Sequence, residues 1–263
     1  MIIKTEEEIE KLKKSSLLVS QVHALLASNL KVGVTGKYLD KIAEEFIRDL
    51  KAIPSFKGYG GFPATLCISP NYTVVHGIPN DIPFKETDIV SIDCGVFYDG
   101  FHGDCAYTFA FSNVPLEVQK LLKVTKESLQ IAIKTAKAGV KTGDLGFSVQ
   151  KYCESHGYSV VRELVGHGVG RNLHEPPDVP NFGKPGKGTM LKKNAVIAIE
   201  PMINLGKKEV VMEEDKWTIN TRDRKMSAHF EHTVRIGLDG AEPLTTHELL
   251  ESELLKKSEL LNI

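Results

Sequence analysis

A turn that occurs twice constrains this 263-residue chain more than any other feature. Lys31-Val-Gly-Val-Thr-Gly36 returns as Lys137-Ala-Gly-Val-Lys-Thr-Gly143, about 107 residues later. Each copy leaves one amphipathic segment and enters another. Before the first copy, Thr5 with Glu8 three residues on reads as a capping box, and Ile9, Leu12, Leu17, Leu18 and Val22 carry an apolar stripe to about Leu30. After it, Leu39, Ile42, Ala43, Phe46, Ile47 and Leu50 mark a second helix. The second copy lies between helical segments near 115–138 and 142–156. Duplication of a helix, helix and strand-hairpin unit, over roughly 5–111 and 115–240, is the simplest account; chance likeness of a short Gly/Thr turn is the alternative.

The strands carry charge where apolar residues are expected. Asp99-Gly100 is a turn dipeptide between strand-like runs at 88–98 and 101–111. With a two-residue turn, position 93 faces 106, and Asp93 and Asp104 share one face of the hairpin. The same offset of 107 carries Asp93 onto Glu200, at the end of a strand over 194–200 that Pro201 stops. A strand over 228–236 shows His229, Glu231 and Thr233 on one face. Carboxylates in Val, Ile and Ala surroundings are costly unless a cation or hydrogen-bond donors compensate them. No Arg or Lys stands beside each, so Asp93, Asp104, Glu200 and Glu231, with His167 of Gly166-His-Gly-Val-Gly170, read as ligands for two metal ions. Oxygen and imidazole donors without thiolate favour Mn, Fe, Co or Zn.

The rest of the composition narrows the partners. Thirty-three Lys and Arg against thirty-four Asp and Glu give no global attraction to nucleic acid or anionic membrane. The N-terminus turns acidic at once and lacks the apolar core of a signal peptide, and no run approaches transmembrane length, so the cytoplasm is the expected compartment. Cys67, Cys94, Cys105 and Cys153 lack metal-finger spacing and read as small buried thiols. The glycine-rich, aromatic loop Phe56-Lys-Gly-Tyr-Gly-Gly-Phe-Pro63 can approach a ligand closely while offering ring surface. The tail after Glu242 reads as a last helix or a partly ordered end, and the absence of a low-complexity linker favours one domain with internal pseudosymmetry.

Taken in order, Val75-His-Gly-Ile-Pro79, Asp93-Cys-Gly95, His102-Gly-Asp104, Gly166-His-Gly-Val-Gly170, Leu173-His-Glu-Pro176, Ile199-Glu-Pro-Met-Ile203, Asp215-Lys-Trp-Thr218 and Phe230-Glu-His-Thr233 resemble the type I methionine aminopeptidase family over nearly the whole chain. The resemblance implies an α+β pita-bread fold, a pseudo-twofold antiparallel sheet backed by helices, and hydrolytic removal of an N-terminal methionine before a small second residue. It implies that Asp93 and Asp104 hold one divalent ion and Asp104, His167, Glu200 and Glu231 the other, with Asp104 and Glu231 bridging. The ions are drawn from Co, Mn, Fe, Zn and Ni, and a monovalent cation near Asn71, Thr73 and Ser227 belongs to the family pattern.

The resemblance also implies roles. Glu200 would move a proton to the leaving amine, His174 would donate to the oxyanion, and His76 would contact the peptide at the scissile bond. Purely ligating or structural roles are the bland alternatives. Tyr59, Phe62, Cys67, His76 and Trp217 match the methionine-pocket positions, which should be ring-lined and sulfur-tolerant. Phe62, Leu173 and His229 depart from the residues usual there (Tyr, Phe and Gln), which bears on pocket shape and hydrogen bonding. Expected partners are peptide and nascent-chain N-termini, with ribosome association open and the protein a monomer. A proline-specific peptidase of the same fold and a noncatalytic peptide-binding relative are the competing readings. The first usually carries a further N-terminal domain, whereas here the first ligand already stands at position 93; the second typically loses the ligands.

Overall fold

The structure, a computed structural model, describes residues 1–263. Thr5 Oγ1 accepts the Glu8 amide hydrogen and the Glu8 carboxylate accepts that of Thr5, so α1 (Glu6–Asn29) starts at the capping box read from the sequence. Thr35 caps α2 (Gly36–Asp49) by accepting from the Tyr38 amide. After the second turn copy, the Asp144 carboxylate accepts the Lys141 amide at the start of α4 (Thr142–Ser155), which follows α3 (Leu116–Thr135).

The two turn copies are tied down identically. Gly33 N–H donates to Phe84 O, and Phe84 N–H to Val34 O; Gly139 N–H donates to Leu191 O, and Leu191 N–H to Val140 O. Each turn therefore binds the backbone that leads into a strand carrying or ending at a candidate ligand, Ile89–Tyr98 with Asp93 in the first half and Val196–Ile199, followed by Glu200, in the second. Helices α1 and α2 pack on the first sheet, α3 and α4 on strands of the second half. One cluster of 48 buried apolar residues runs through both, so the halves share a core. No helix is long and apolar enough to cross a membrane.

Asp99 and Gly100 both adopt positive φ (49° and 85°), the requirement of a type I′ two-residue hairpin. The expected register follows: Asp93 lies opposite Ala106 and Gly95 opposite Asp104. This hairpin, Ile89–Tyr98 with Phe101–Phe111, forms the middle of a five-stranded sheet. A second five-stranded sheet is built around Val196–Ile199 and His232–Ile236.

The single strand expected over 228–236 is two strands. Ser227–His229 pairs with Met202–Asn204 in one sheet, and His232–Ile236 with Val196–Ile199 in another. Between them, Phe230 N–H turns to Pro201 O and Glu231 N–H to Ala106 O, so the chain changes partners at the position that carries Glu231. The tail forms α5 (Glu248–Leu254) and then, beyond expectation, a short strand, Leu260–Leu261, paired with Phe111 and Ala110.

Register also defines which residues correspond under the pseudo-twofold. Ile92 faces Tyr107 as Ile199 faces His232, and Gly95 faces Asp104 as Met202 faces His229. Glu200 therefore corresponds to Asp93, whereas His229 corresponds to Asp104 and Glu231 to Ala106. Each hairpin supplies two carboxylates, but only Asp93 and Glu200 occupy equivalent positions.

Candidate metal centre and pocket

Four stretches of backbone converge where the halves meet. Asp93 and Asp104 project from one face of the first hairpin; Glu200 ends the strand Val196–Ile199 at Pro201; Glu231 sits in the break described above. His167 comes from the short strand Gly166–Gly168. A Cβ on Gly166 would lie 2.4 Å from Ala198 O, so a residue without one is needed for this strand to press against its neighbour.

His167 is oriented for ligation. Its Nδ1 is 2.9 Å from Gly168 O, which assigns the proton to Nδ1 and leaves the Nε2 lone pair facing Glu200 Oε1 at 3.5 Å and Asp104 Oδ2 at 3.8 Å. Ligand atoms of Asp104, His167 and Glu231 all lie within 4.8 Å of one another. Asp93 Oδ1, Asp104 Oδ1, Glu231 Oε1 and His229 Nε2 are buried and lack any hydrogen-bond partner. His229 Nε2 stands 3.5 Å from Glu200 Oε2.

Electrostatics gives the same picture. Burial, reinforced by Asp93 and Glu200, holds the Asp104 carboxyl well above its usual range, and burial with Asp104 and Asp93 does the same to Glu231. Burial is also the main cause of the rise of Asp93 to about 7. Burial pushes Glu200 upward too, but His229, His167 and His76 outweigh it and its carboxyl is lowered. Orphaned oxygens, mutual repulsion and a prepared imidazole lone pair are what a divalent cation would relieve. The donor set of carboxylate and imidazole fits such an ion.

A cavity of about 410 Å³ opens over these groups, and all eleven residues singled out in the sequence line it. Tyr59, Phe62, Cys67, His76, His174 and Trp217 thus share one space with the five ligand candidates. Cys67 reaches it because it pairs directly with Asp93 across neighbouring strands. His76 adopts φ 58° after the strand Thr73–Val75, a conformation few side-chain-bearing residues accept. Gly77 beside it is forced, since a Cβ there would lie 2.2 Å from Ile68 O. Trp217 is set by Asp215, whose Oδ1 accepts the amide hydrogens of Trp217 and Thr218; the indole then meets Phe62 edge-on at 5.3 Å. Burial first, then His167, lowers His174 to about 4, and burial lowers His76.

Several residues were not foreseen. Met202, Val75 and Leu164 extend the apolar wall beyond Phe56, which the glycine-rich loop already offered, and the Asn181 amide donates to Glu200 O. Nothing in their spacing marks them. Cys105, His232 and His247 form a second buried group with donor atoms within 4.8 Å of one another; the two rings stack at 4.0 Å and 30°, and His232 Nδ1 lies 2.8 Å from Thr245 Oγ1.

With this geometry in place, relatives can be compared. Residues 10–237 match the model of metallopeptidase family M24. The chain is 47% identical to the methionine aminopeptidase of Clostridium perfringens over 93% of its length and 98% of that protein. It is 45% identical to methionine aminopeptidase 1 of Bacillus subtilis, over 93% of this chain and 99% of that one. The crystal structure of methionine aminopeptidase from Rickettsia prowazekii superposes with a TM-score of 0.92 at 38% identity, covering 94% of this chain and all of that one. The prolidase from Pyrococcus furiosus shares the fold alone, at 24% identity and a TM-score of 0.74 over 66% of its length. The chain belongs to metallopeptidase family M24, as a member of its methionine aminopeptidases.

Proposed function

We propose that the whole chain acts as one catalytic domain that removes the N-terminal methionine from peptides and nascent proteins with a small second residue. The observation that carries this reading is the convergence of four buried carboxylates and the His167 lone pair under a ring-lined cavity. Asp93 and Asp104 would hold one divalent ion and Asp104, His167, Glu200 and Glu231 a second, with Asp104 and Glu231 shared. Co, Mn, Fe, Zn and Ni all suit these donors. When bound, such ions lower the pKa of water and polarise a carbonyl.

The protein's own groups do the remaining work. Phe62, Trp217 and Cys67 enclose an unbranched, polarisable methionine side chain. The free amino terminus is anchored at the Asp93 end of the centre. Glu200, whose carboxyl lies below its usual range, takes a proton from the attacking water and delivers it to the leaving amine. His174 donates from Nε2 to the oxyanion of the tetrahedral intermediate, and His76 steadies the peptide beside the scissile bond. The proposed setting is the cytoplasm, with a monomer acting on nascent chains and the ribosome as a candidate partner.

Metal-loaded protein incubated with Met-Ala-Ser, Met-Lys-Ser and Ala-Pro-Ser separates the readings. Rapid methionine release from Met-Ala-Ser alone supports the proposal; cleavage of Ala-Pro-Ser alone, or of none, overturns it. Glu200→Gln should remove turnover while the protein stays folded.

A further inference from the structure

One polar contact in the pocket joins a substrate-binding residue to a catalytic one. The Tyr59 hydroxyl lies 2.8 Å from His174 Nδ1, and the two rings are 5.1 Å apart, inclined at 56°. Tyr59 belongs to the first half and His174 to the second, so the contact crosses the mouth of the cavity. Resting on the function proposed above, we propose that Tyr59 is a positioning residue: its hydroxyl donates to Nδ1 and thereby holds His174 as the tautomer with hydrogen on Nε2, the nitrogen left to face the substrate carbonyl.

Neutral imidazole carries one N–H, and whichever nitrogen accepts a hydrogen bond forces the hydrogen onto the other. In the neutral ring the tautomer therefore decides whether Nε2 donates. If His174 Nδ1 donated to the phenol instead, Nε2 would present a lone pair to developing negative charge. Only the hydroxyl-donor arrangement is productive.

The loop around Tyr59 makes the hydroxyl a fixed reference. Gly58 N–H donates to Phe62 O, Tyr59 N–H to Phe56 O and Phe62 N–H to Tyr59 O. Gly58, Gly60 and Gly61 take φ of 87°, 56° and 92°, which lets the chain close this tight turn. Phe62, which meets Trp217, lies on the same turn. The wall that receives the methionine side chain and the hydroxyl that orients His174 are therefore one piece of backbone. A substrate that displaced the wall would also release His174, so fit in the pocket and stabilisation of the oxyanion are coupled through Tyr59.

A double-mutant cycle on metal-loaded enzyme with Met-Ala-Ser tests this, using Tyr59→Phe, His174→Ala and both together. Loss of one such hydrogen bond should lower kcat about two- to tenfold. KM should change less than about twofold, and Tyr59→Phe should cause no further loss in the His174→Ala background. Equal losses in both backgrounds, or a change confined to KM, would show Tyr59 to be pocket lining only and overturn the inference. The second measurement needs no turnover: ring ¹⁵N shifts of His174 in metal-free protein should show one Nε2–H tautomer in the wild type and a mixture in Tyr59→Phe. Identical shifts overturn the inference whatever the kinetics. Wild-type protein inert towards Met-Ala-Ser would overturn the proposed function instead.

Discussion

Thr108 and Thr233 make the same pair of bonds in opposite directions across the junction of the halves. Thr108 Oγ1 donates to His229 O and accepts from His229 N; Thr233 Oγ1 donates to Asp104 O and accepts from Asp104 N. Under the pseudo-twofold Thr108 corresponds to Thr233 and His229 to Asp104, so the two pairs of bonds are symmetry mates.

Removing one hydroxyl strands two buried backbone groups. Thr233→Val keeps the shape but leaves Asp104 N–H and C=O without this partner, and should lower stability by about 1–3 kcal/mol. Denaturant unfolding followed by circular dichroism measures it. A change below about 0.5 kcal/mol would show that the junction does not depend on the bond.

The loop bearing His174 is anchored from far away. Lys4 and Glu175 form an ion pair with side chains only 2% and 3% exposed. Lys4→Met leaves a buried carboxylate unpaired and should cost about 3–5 kcal/mol. Adding Glu175→Gln should recover part of that loss, and no recovery in the double variant would contradict the pairing.

Buried His23 should make the protein sensitive to acid. Burial lowers its pKa to about 4, while its Nε2 lies 2.8 Å from Cys105 O as a donor. Unfolded, it titrates near 6.5. Between these values the unfolded state binds the extra proton, so this contribution is complete above about 6.5 and is lost as pH falls towards 4. His23→Gln should flatten stability against pH in that window by up to about 1.4 kcal/mol per pH unit. An unchanged slope would place the acid response elsewhere.

Metal should report through melting as well as through turnover. An ion at 100 times its dissociation constant adds about 2.7 kcal/mol to the folded state. Calorimetry with and without chelator should show a higher Tm for loaded wild type, and a much smaller rise for Asp104→Asn. An undiminished rise in that variant would remove Asp104 from the donor set.

Trp217 is held by the Asp215 turn and packs on the cluster that contains Phe62. Trp217→Ala should raise KM for Met-Ala-Ser about tenfold or more, from the loss of apolar surface. Steady-state kinetics decides, and an unaltered KM would place the methionine side chain elsewhere.

Much of this was legible because it is local. The Thr5–Glu8 capping box and the Asp99-Gly100 turn fix a helix start and a hairpin register from neighbouring residues alone, and the register puts Asp93 beside Asp104. What escaped depends on partners distant in sequence. From 228 to 236 only His232 interrupts the alternation, and one polar residue on the apolar face does not reveal that Phe230 and Glu231 change sheets; the reasons are Pro201 O and Ala106 O. The 107-residue offset holds for Asp93 and Glu200, but the return strand is displaced by 125 because the second hairpin is longer. For that reason the counterpart of Asp104 is His229. Two-residue strands such as Leu260–Leu261 carry too little pattern to be read at all.

That junction has a consequence for how the protein becomes competent. Asp93 and Asp104 lie on one side of it, His167, Glu200 and Glu231 on the other, so neither side alone presents the full set. Vectorial synthesis makes the first half before the second, so the five side chains share one cavity only once the later half has docked on the earlier.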